Sequence, residues 1–290
     1  MPGLTRIGTI LIAATAMLFA RDAQAAAPKA PVCDRADFRV AVDVGHTRDA
    51  PGARRARGYS EYDFNLVLGN EIEHALRQAG FGKTALLVTD GPAQPSLFRR
   101  VAAANALPAH LFLSVHHDSV PENFLLNWDY EGSARRFSDA YKGHSIFISN
   151  DNSERAASLR FGHLLGMQLK ARDLQYTTQY TDSLLGNRRR VLVDTRAGVY
   201  RYDQLIVLRH TAMPAVLLEA GSIINREEEL LAASPERQKL IASAVARAVE
   251  QFCAIRLPKS EPLKSERHAR PKTGPKPVVR LDAPPTATRP

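Results

Sequence analysis

Three apolar runs of this chain end in side chains that bind metals or move protons. His46 follows VAVDVG, His116 follows LFLSV with His117 directly after it, and Glu219 follows AVLL. Glu61 lies 15 residues beyond His46, in the first turn of an expected helix, and folds back toward the same edge. In open α/β sheets the carboxyl ends of strands are where sites form. Two histidines and one carboxylate are a recurring catalytic zinc set that leaves the fourth position to water. A further carboxylate can then take a proton from that water. Singly, each residue has a plainer reading. His46 after a glycine suits a loop, His116 suits a strand end and shares its claim with His117, and Glu61 favours a helix N-terminus electrostatically. Glu219, directly after a buried run, is hardest to explain without a task, because carboxylates are rarely placed there. Spacing alone points to a zinc hydrolase and names no substrate.

The elements that must position these groups follow from periodicity. Residues 38–44 (FRVAVDV) form a β-rich run. Ser60, with Asp63 three residues on, predicts a helix start. Phe64, Val67, Leu68, Ile72, Ala75, Leu76 and Ala79 then share one face, and Gly80 closes the helix. Further strands are predicted at 84–89, 111–115, 144–149 and 215–218. Helices are predicted from Ser96 as cap to Leu107, over 153–170, and from Ser234 with Pro235 at the first helical position. The last has Leu240, Ile241, Ala244, Val245, Ala248 and Phe252 on its apolar face. Residues 119–142 read as irregular, and 171–204 resist assignment. Strands alternating with helices predict a single α/β domain built on a twisted, mostly parallel sheet flanked by helices. No Walker loop, G-x-G-x-x-G or G-x-S-x-G motif is present.

The chain has 290 residues, of which 44% are hydrophobic and 24% charged, enough for a sizeable core. The net charge is +9, but residues 258–290 alone carry +5 and eight of the 18 prolines. The body is therefore close to balanced, and a nucleic-acid partner is not expected. The tail reads as a disordered basic extension. Residues 1–25 read as a secretory signal: Arg6 precedes the apolar stretch 7–20, and Ala23-Gln24-Ala25 supplies the small residues before cleavage. The apolar stretch is short for a membrane span, so the mature protein is expected to be exported, without a stable span. The domain plan is thus a signal at 1–25, a catalytic domain at 26–257 and a tail at 258–290. Cys33 and Cys253, at the two ends of that domain, are expected to pair in an oxidising compartment.

The segments VAVDVGH, SEYDFNL, RVAAANALPAHLFLSVHHD and MPAVLLEAGSIINREEE, in that order and spacing, resemble the successive signatures of the zinc-dependent N-acetylmuramoyl-L-alanine amidases of the amidase-3 type. The resemblance runs over about residues 38–253. It implies one Zn²⁺ held by His46, Glu61 and His116, with Glu219 as the catalytic glutamate. It implies hydrolysis of the amide between N-acetylmuramic acid and the L-alanine of the peptidoglycan stem, by a periplasmic enzyme. The implied partners are peptidoglycan or muropeptides and, in some members, a protein activator. Nothing in the chain asks for more than a monomer. Asp43 and Asn105 match recurrent family positions, which implies residues that either support the metal ligands or hold the structure. The chain departs from the pattern at Val44 and Thr47, which flank the first histidine, and at His117. Residues 119–142 are longer than a simple connection, and are expected to form a lid or substrate wall with Trp128 or Tyr130 toward the cleft. Alternatives are another zinc amidohydrolase or carboxypeptidase with a different peptide substrate, and a wall-binding module that has lost catalysis.

Overall fold

The apolar runs of the sequence become the buried strands of one seven-stranded sheet. A computed structural model describes residues 33–255; the signal expected at 1–25 and the tail expected at 258–290 lie outside them. In chain order the elements are β1 (Val40–Val44), α1 (Glu61–Gln78), β2 (Ala85–Leu87), α2 (Ala93–Ala106), β3 (Leu111–Asp118), β4 (Leu126–Tyr130), β5 (Ser133–Phe137) and β6 (Ser145–Ile148). There follow α3 (Arg155–Lys170), β7 (Val191–Asp194), β8 (Val199–Arg201), α4 (Ile206–Arg209), β9 (Ala215–Ser222), α5 (Glu228–Ala233) and α6 (Pro235–Ile255). The sheet order is β2-β1-β3-β9-β6-β8-β7. The β2/β1, β1/β3, β3/β9 and β6/β8 pairs are parallel, whereas β6/β9 and β7/β8 are antiparallel. The mostly parallel α/β architecture is the expected one.

Strand alternation sorts the core into two layers. Val40, Val42, Leu111, Leu113, Val216 and Leu218 pack with α1, α3 and α6. Ala41, Phe112, Ala215 and Leu217, on the opposite face, pack against Val101 and Ala104 of α2 and Val207 and Leu208 of α4. Being covered on both faces explains why these strands read as continuous apolar runs. In β3 this parity puts His116 on the α2 face with Phe112 and Ser114, and His117 on the α1 face.

Several local expectations change. Ser96 is not a cap: α2 begins at Ala93 after Pro92, and the Ser96 hydroxyl donates to the Ala93 carbonyl inside the helix (2.7 Å). Ser60 does precede α1, but its hydroxyl donates to the Asp63 carboxylate (2.7 Å) rather than capping a backbone N–H. Ser234 Oγ, by contrast, accepts from the Arg237 N–H (3.2 Å) at the start of α6. Val67, placed on the buried face of α1, is 50% exposed. Residues 119–142 are not irregular. They contain the β4–β5 hairpin, closed by Glu131 (φ 54°) and Gly132 (φ 71°), the two left-handed positions of a tight hairpin turn. Residues 171–204 contain β7 and β8 at the far sheet edge.

Cys33 and Cys253 form a disulfide with Cα atoms 5.2 Å apart, joining the start of the described chain to the last turn of α6. Replacing both cysteines by serine is expected to cost about 2–5 kcal/mol of stability, given the long loop closed. A denaturant titration checks this, with two thiols titrated in the reduced wild type as the control.

Candidate metal centre

The centre is built where β1, β3 and the start of α1 converge. β1 ends at Val44. Gly45 follows, its N–H donating to the Val115 carbonyl of β3 (2.9 Å), and His46 then adopts a left-handed backbone (φ 66°). For a residue with a Cβ that conformation is uncommon and needs support. Arg100 of α2 supplies it. Its guanidinium is 1% exposed, donates to the His46 carbonyl and lies 3.6 Å from the Asp43 carboxylate. Ser114 donates to the same Asp43 oxygen (2.7 Å). Burial pushes the Asp43 carboxyl up to about 6, against the pull of Arg100 and Ser114. Thr47, the departure next to His46, is fully buried and anchors the loop: its hydroxyl donates to the Gly91 carbonyl (2.7 Å) and accepts from the Ala50 N–H (2.9 Å).

Glu61, the first residue of α1, is 5% exposed and stands between the two histidines. Its Oε2 lies 2.9 Å from His46 Nε2, and its Oε1 lies 2.9 Å from His116 Nδ1. The Ala53 N–H donates to Oε2 (3.1 Å), and Asn65 Nδ2 donates to Oε1 (3.2 Å). Burial by itself raises this carboxyl, but the bonds from His116 and His46 outweigh it and hold Glu61 well below the usual carboxylate range. His116 is drawn down by its burial. His117 is drawn down to about 4, also by burial. It does not join the cluster. Its ring faces α1, where Nδ1 meets Asn65 Oδ1 (2.8 Å). Asn65 Nδ2 also donates to the Gly45 carbonyl (3.2 Å), so one amide ties together Glu61, His117 and the strand end before His46.

Among the described residues, His46, Glu61 and His116 are the one group of three whose ligand atoms lie within 4.8 Å of one another. Ligands about 2.0–2.1 Å from a tetrahedral zinc stand roughly 3.3 Å apart, so the two 2.9 Å separations are close to what a cation needs. Glycines let these rings approach. A Cβ on Gly45 would come within 2.5 Å of the His116 ring. One on Gly52 (φ +78°) would lie 2.5 Å from Glu61 Oε2 and 2.6 Å from the His46 ring. Gly52→Ala is therefore expected to weaken metal binding by about 10–100-fold, the scale of supporting-residue losses. Competition against a chromogenic chelator measures it.

Glu219 lies inside β9 rather than after it, directly across from His116 in the parallel register. The two side chains share a sheet face at the strand ends. Its Oε2 is buried and accepts no hydrogen bond, an unusual state for a buried carboxylate oxygen. Burial, then the nearby carboxylates of Asp118 and Glu61, push Glu219 well above its ordinary value. Asp118 is itself buried and raised to about 7, although Tyr180 donates to it (2.8 and 2.9 Å). Gln179 also reaches it (3.2 Å). Tyr180 and Gln179 come from the stretch that resisted assignment. Of its two expected roles, Asn105 takes the structural one. Its side chain ties α2 to the segment after α4, donating to the His210 carbonyl (3.0 Å) and accepting from the Ala212 N–H (2.8 Å).

The β4–β5 hairpin stands beside the loop that carries the ligands. Trp128 Nε1 donates to the Ala56 carbonyl (3.3 Å), and the Ala56 N–H donates to the Ile223 carbonyl just past β9 (3.0 Å). Trp128 is thus turned toward the ligand loop.

The family model of N-acetylmuramoyl-L-alanine amidases matches residues 40–251. The chain is 26% identical over 221 residues to the N-acetylmuramoyl-L-alanine amidase AmiA of Escherichia coli, covering 73% of this chain and 75% of that protein. The crystal structure of the amidase Ami1 from Mycobacterium smegmatis superposes with a TM-score of 0.58 at 22% identity, covering 76% of this chain and 98% of Ami1. The CwlD amidase of Clostridioides difficile, solved in complex with the GerS lipoprotein, gives 0.55 at 18% identity, over 76% of this chain and 100% of CwlD.

Proposed function

This chain belongs to the N-acetylmuramoyl-L-alanine amidase family, and from that premise we propose that it is a zinc-dependent enzyme whose centre is His46, Glu61 and His116, with Glu219 as its proton carrier. The observation that carries the zinc assignment is the convergence of two imidazole nitrogens on the two oxygens of one buried carboxylate, a donor set suited to catalytic zinc. When bound there, the ion supplies Lewis-acid polarisation of the scissile carbonyl and lowers the pKa of water.

The chain's own residues do the rest. Glu219 takes a proton from the attacking water, and later returns it to the alanine nitrogen as the amide C–N bond breaks. Glu219 is raised by burial, and its ionised form would be favoured by a cation held at the three ligands. Its unpartnered Oε2 is then the acceptor that such a step requires. Asn65 orients Glu61, and Arg100 with Asp43 fixes the His46 backbone. The substrate is peptidoglycan, cut between N-acetylmuramic acid and L-alanine.

Export to the periplasm belongs to the same proposal. The Cys33–Cys253 bridge supports it, because disulfides persist in oxidising compartments. Among the described residues no helix is long and apolar enough to cross a membrane. By analogy with the complex in which CwlD was solved, the proposal includes a protein partner.

The test is mass spectrometry of products from purified sacculi incubated with the protein, with and without a zinc chelator. Stem peptides with a free N-terminal L-alanine, lost on chelation and restored by zinc, are expected. Cleavage within the stem would refute the bond assignment, and turnover insensitive to chelation would refute the metal.

A further inference from the structure

A cleft of about 540 Å³ opens between the loop that joins His46 to Glu61 and the β4–β5 hairpin, lined by Arg55, Arg57, Tyr59, Tyr130 and Arg135. We infer that this cleft is a recognition site for a carboxylate on the substrate's peptide stem, with Arg135 as its anion-binding side chain. The inference rests on the amidase reading and deepens it.

The loop carries the metal ligand at its base and the cleft at its tip. Glu61 and Ala53 exchange bonds at the base, the Glu61 N–H donating to the Ala53 carbonyl (2.9 Å) and the Ala53 N–H to Glu61 Oε2 (3.1 Å). Arg54 and Ser60 pair above them. Arg55 to Gly58 form the tip, where the Gly58 N–H donates to the Arg55 carbonyl (2.9 Å). Tyr59 is two residues from Glu61, so their Cα atoms lie within about 7 Å. A stem of three extended residues spans about 10 Å. A stem whose first amide lies at the metal centre therefore reaches the cleft with its second or third residue.

The charge of the cleft is unbalanced and held in place. Arg55 and Arg57 share one carboxylate, Glu229, which is fully buried: Arg55 Nε lies 3.0 Å from one oxygen and Arg57 Nη1 2.6 Å from the other. The Arg55 guanidinium stacks 3.5 Å from the Tyr59 ring centre, and Arg57 lies 5.3 Å from that of Tyr130. Arg135 sits across from Trp128 in the hairpin. Its Nε is buried and donates to no group among the described residues. Gly58 is left-handed (φ +101°), and a Cβ there would lie 2.8 Å from the Arg135 guanidinium carbon. The loop backbone thus passes directly over this arginine and keeps it in the cleft. Three guanidiniums face one buried carboxylate and one exposed one, Glu131 at the hairpin turn. Arginine's planar fork matches a carboxylate in two parallel bonds, and carboxylates are the anionic groups of a peptide stem. A phosphate presents similar oxygens, so the test separates the two.

Trp128, the only tryptophan of the chain, is a built-in reporter, with its ring 5.6 Å from the Arg57 guanidinium. The zinc-loaded full chain is titrated with a stem tripeptide bearing free carboxylates, with the same peptide amidated, and with inorganic phosphate, following tryptophan emission. The free-carboxylate peptide is expected to bind at least about tenfold more tightly than the amidated one. Arg135→Gln is expected to erase that difference through KM, leaving turnover of amidated muropeptides unchanged, while Arg135→Lys retains part of it. Equal binding of the two peptides, tighter binding of phosphate than of the peptide, or an equal loss on both substrates in Arg135→Gln would each overturn the inference. If the wild type releases no L-alanine-terminated stem from any muropeptide, the amidase reading fails by itself, and the emission titration still decides whether the cleft takes a carboxylate.

Discussion

Glu219→Gln is expected to lower kcat on muropeptides by about 10³-fold, within the usual range for loss of a general acid–base group, without loss of bound zinc. The substitution keeps the shape of a side chain that is paired across β3/β9 with His116, and removes only its ability to take and return a proton. KM should change little, because the interaction removed belongs to the transition state. Stability should not fall. Glu219 is buried beside the carboxylates of Asp118 and Glu61, with one oxygen unpartnered, so neutralising it relieves repulsion. A higher Tm with a lower kcat is the pattern of a residue kept for function against the interest of the fold. Single-turnover kinetics, zinc content and a thermal melt on the same preparation check all three. A variant with normal turnover would remove Glu219 from proton transfer.

What could be read in the sequence was what a strand end announces. β1, β3 and β9 carry apolar runs, and the residues that close those runs stand out because they break them. That reasoning located His46, His116 and Glu219. It left His117 in competition, although period-two alternation along LFLSVHHD already pairs His116 with Ser114 and Phe112 and sends His117 to the opposite face. The supporting residues were harder. Arg100 lies in a helix of mixed polarity, where an arginine usually reads as a solvated side chain. Its signal was positional, since Ser96, Arg100 and Ala104 recur every four residues on what proves to be the buried face. Asn65 follows Glu61 by one helical turn and was passed over for the same reason. The β4–β5 hairpin is hard to read because its strands, LNWDY and SARRF, are half polar, and neither carries a buried residue. Only Gly132 marks the turn, because Glu131, which also takes a left-handed backbone (φ 54°), is not a residue that announces one.

Glu61→Gln is expected to weaken zinc binding by more than about 100-fold, beyond the loss typical of a residue that only supports a ligand. Donors converge on both of its oxygens. His46 and the Ala53 N–H address Oε2, while His116 and the side chain of Asn65 address Oε1. A carboxylate satisfies both sides. A glutamine has one acceptor oxygen and one amino group, so whichever way the amide turns, a donor faces donors. The resulting unsatisfied group at a 5% exposed position should cost about 1–3 kcal/mol, visible as a lower Tm in the metal-free protein. Chelator competition and a denaturant titration measure the two effects separately. The pair of variants then assigns roles that either alone would leave joined. If Glu61 holds the metal and Glu219 moves the proton, Glu61→Gln loses zinc, and Glu219→Gln keeps zinc but loses turnover. If instead Glu219 were the third ligand, the zinc contents would exchange. Geometry already separates the two carboxylates, since Glu61 stands 2.9 Å from both histidines and Glu219 lies outside the group whose ligand atoms converge, and the electrostatics agrees. Glu61 is held ionised by its histidines, while Glu219 is raised by burial and by its neighbours. A ligand must be deprotonated, whereas a general base must accept a proton and give it back.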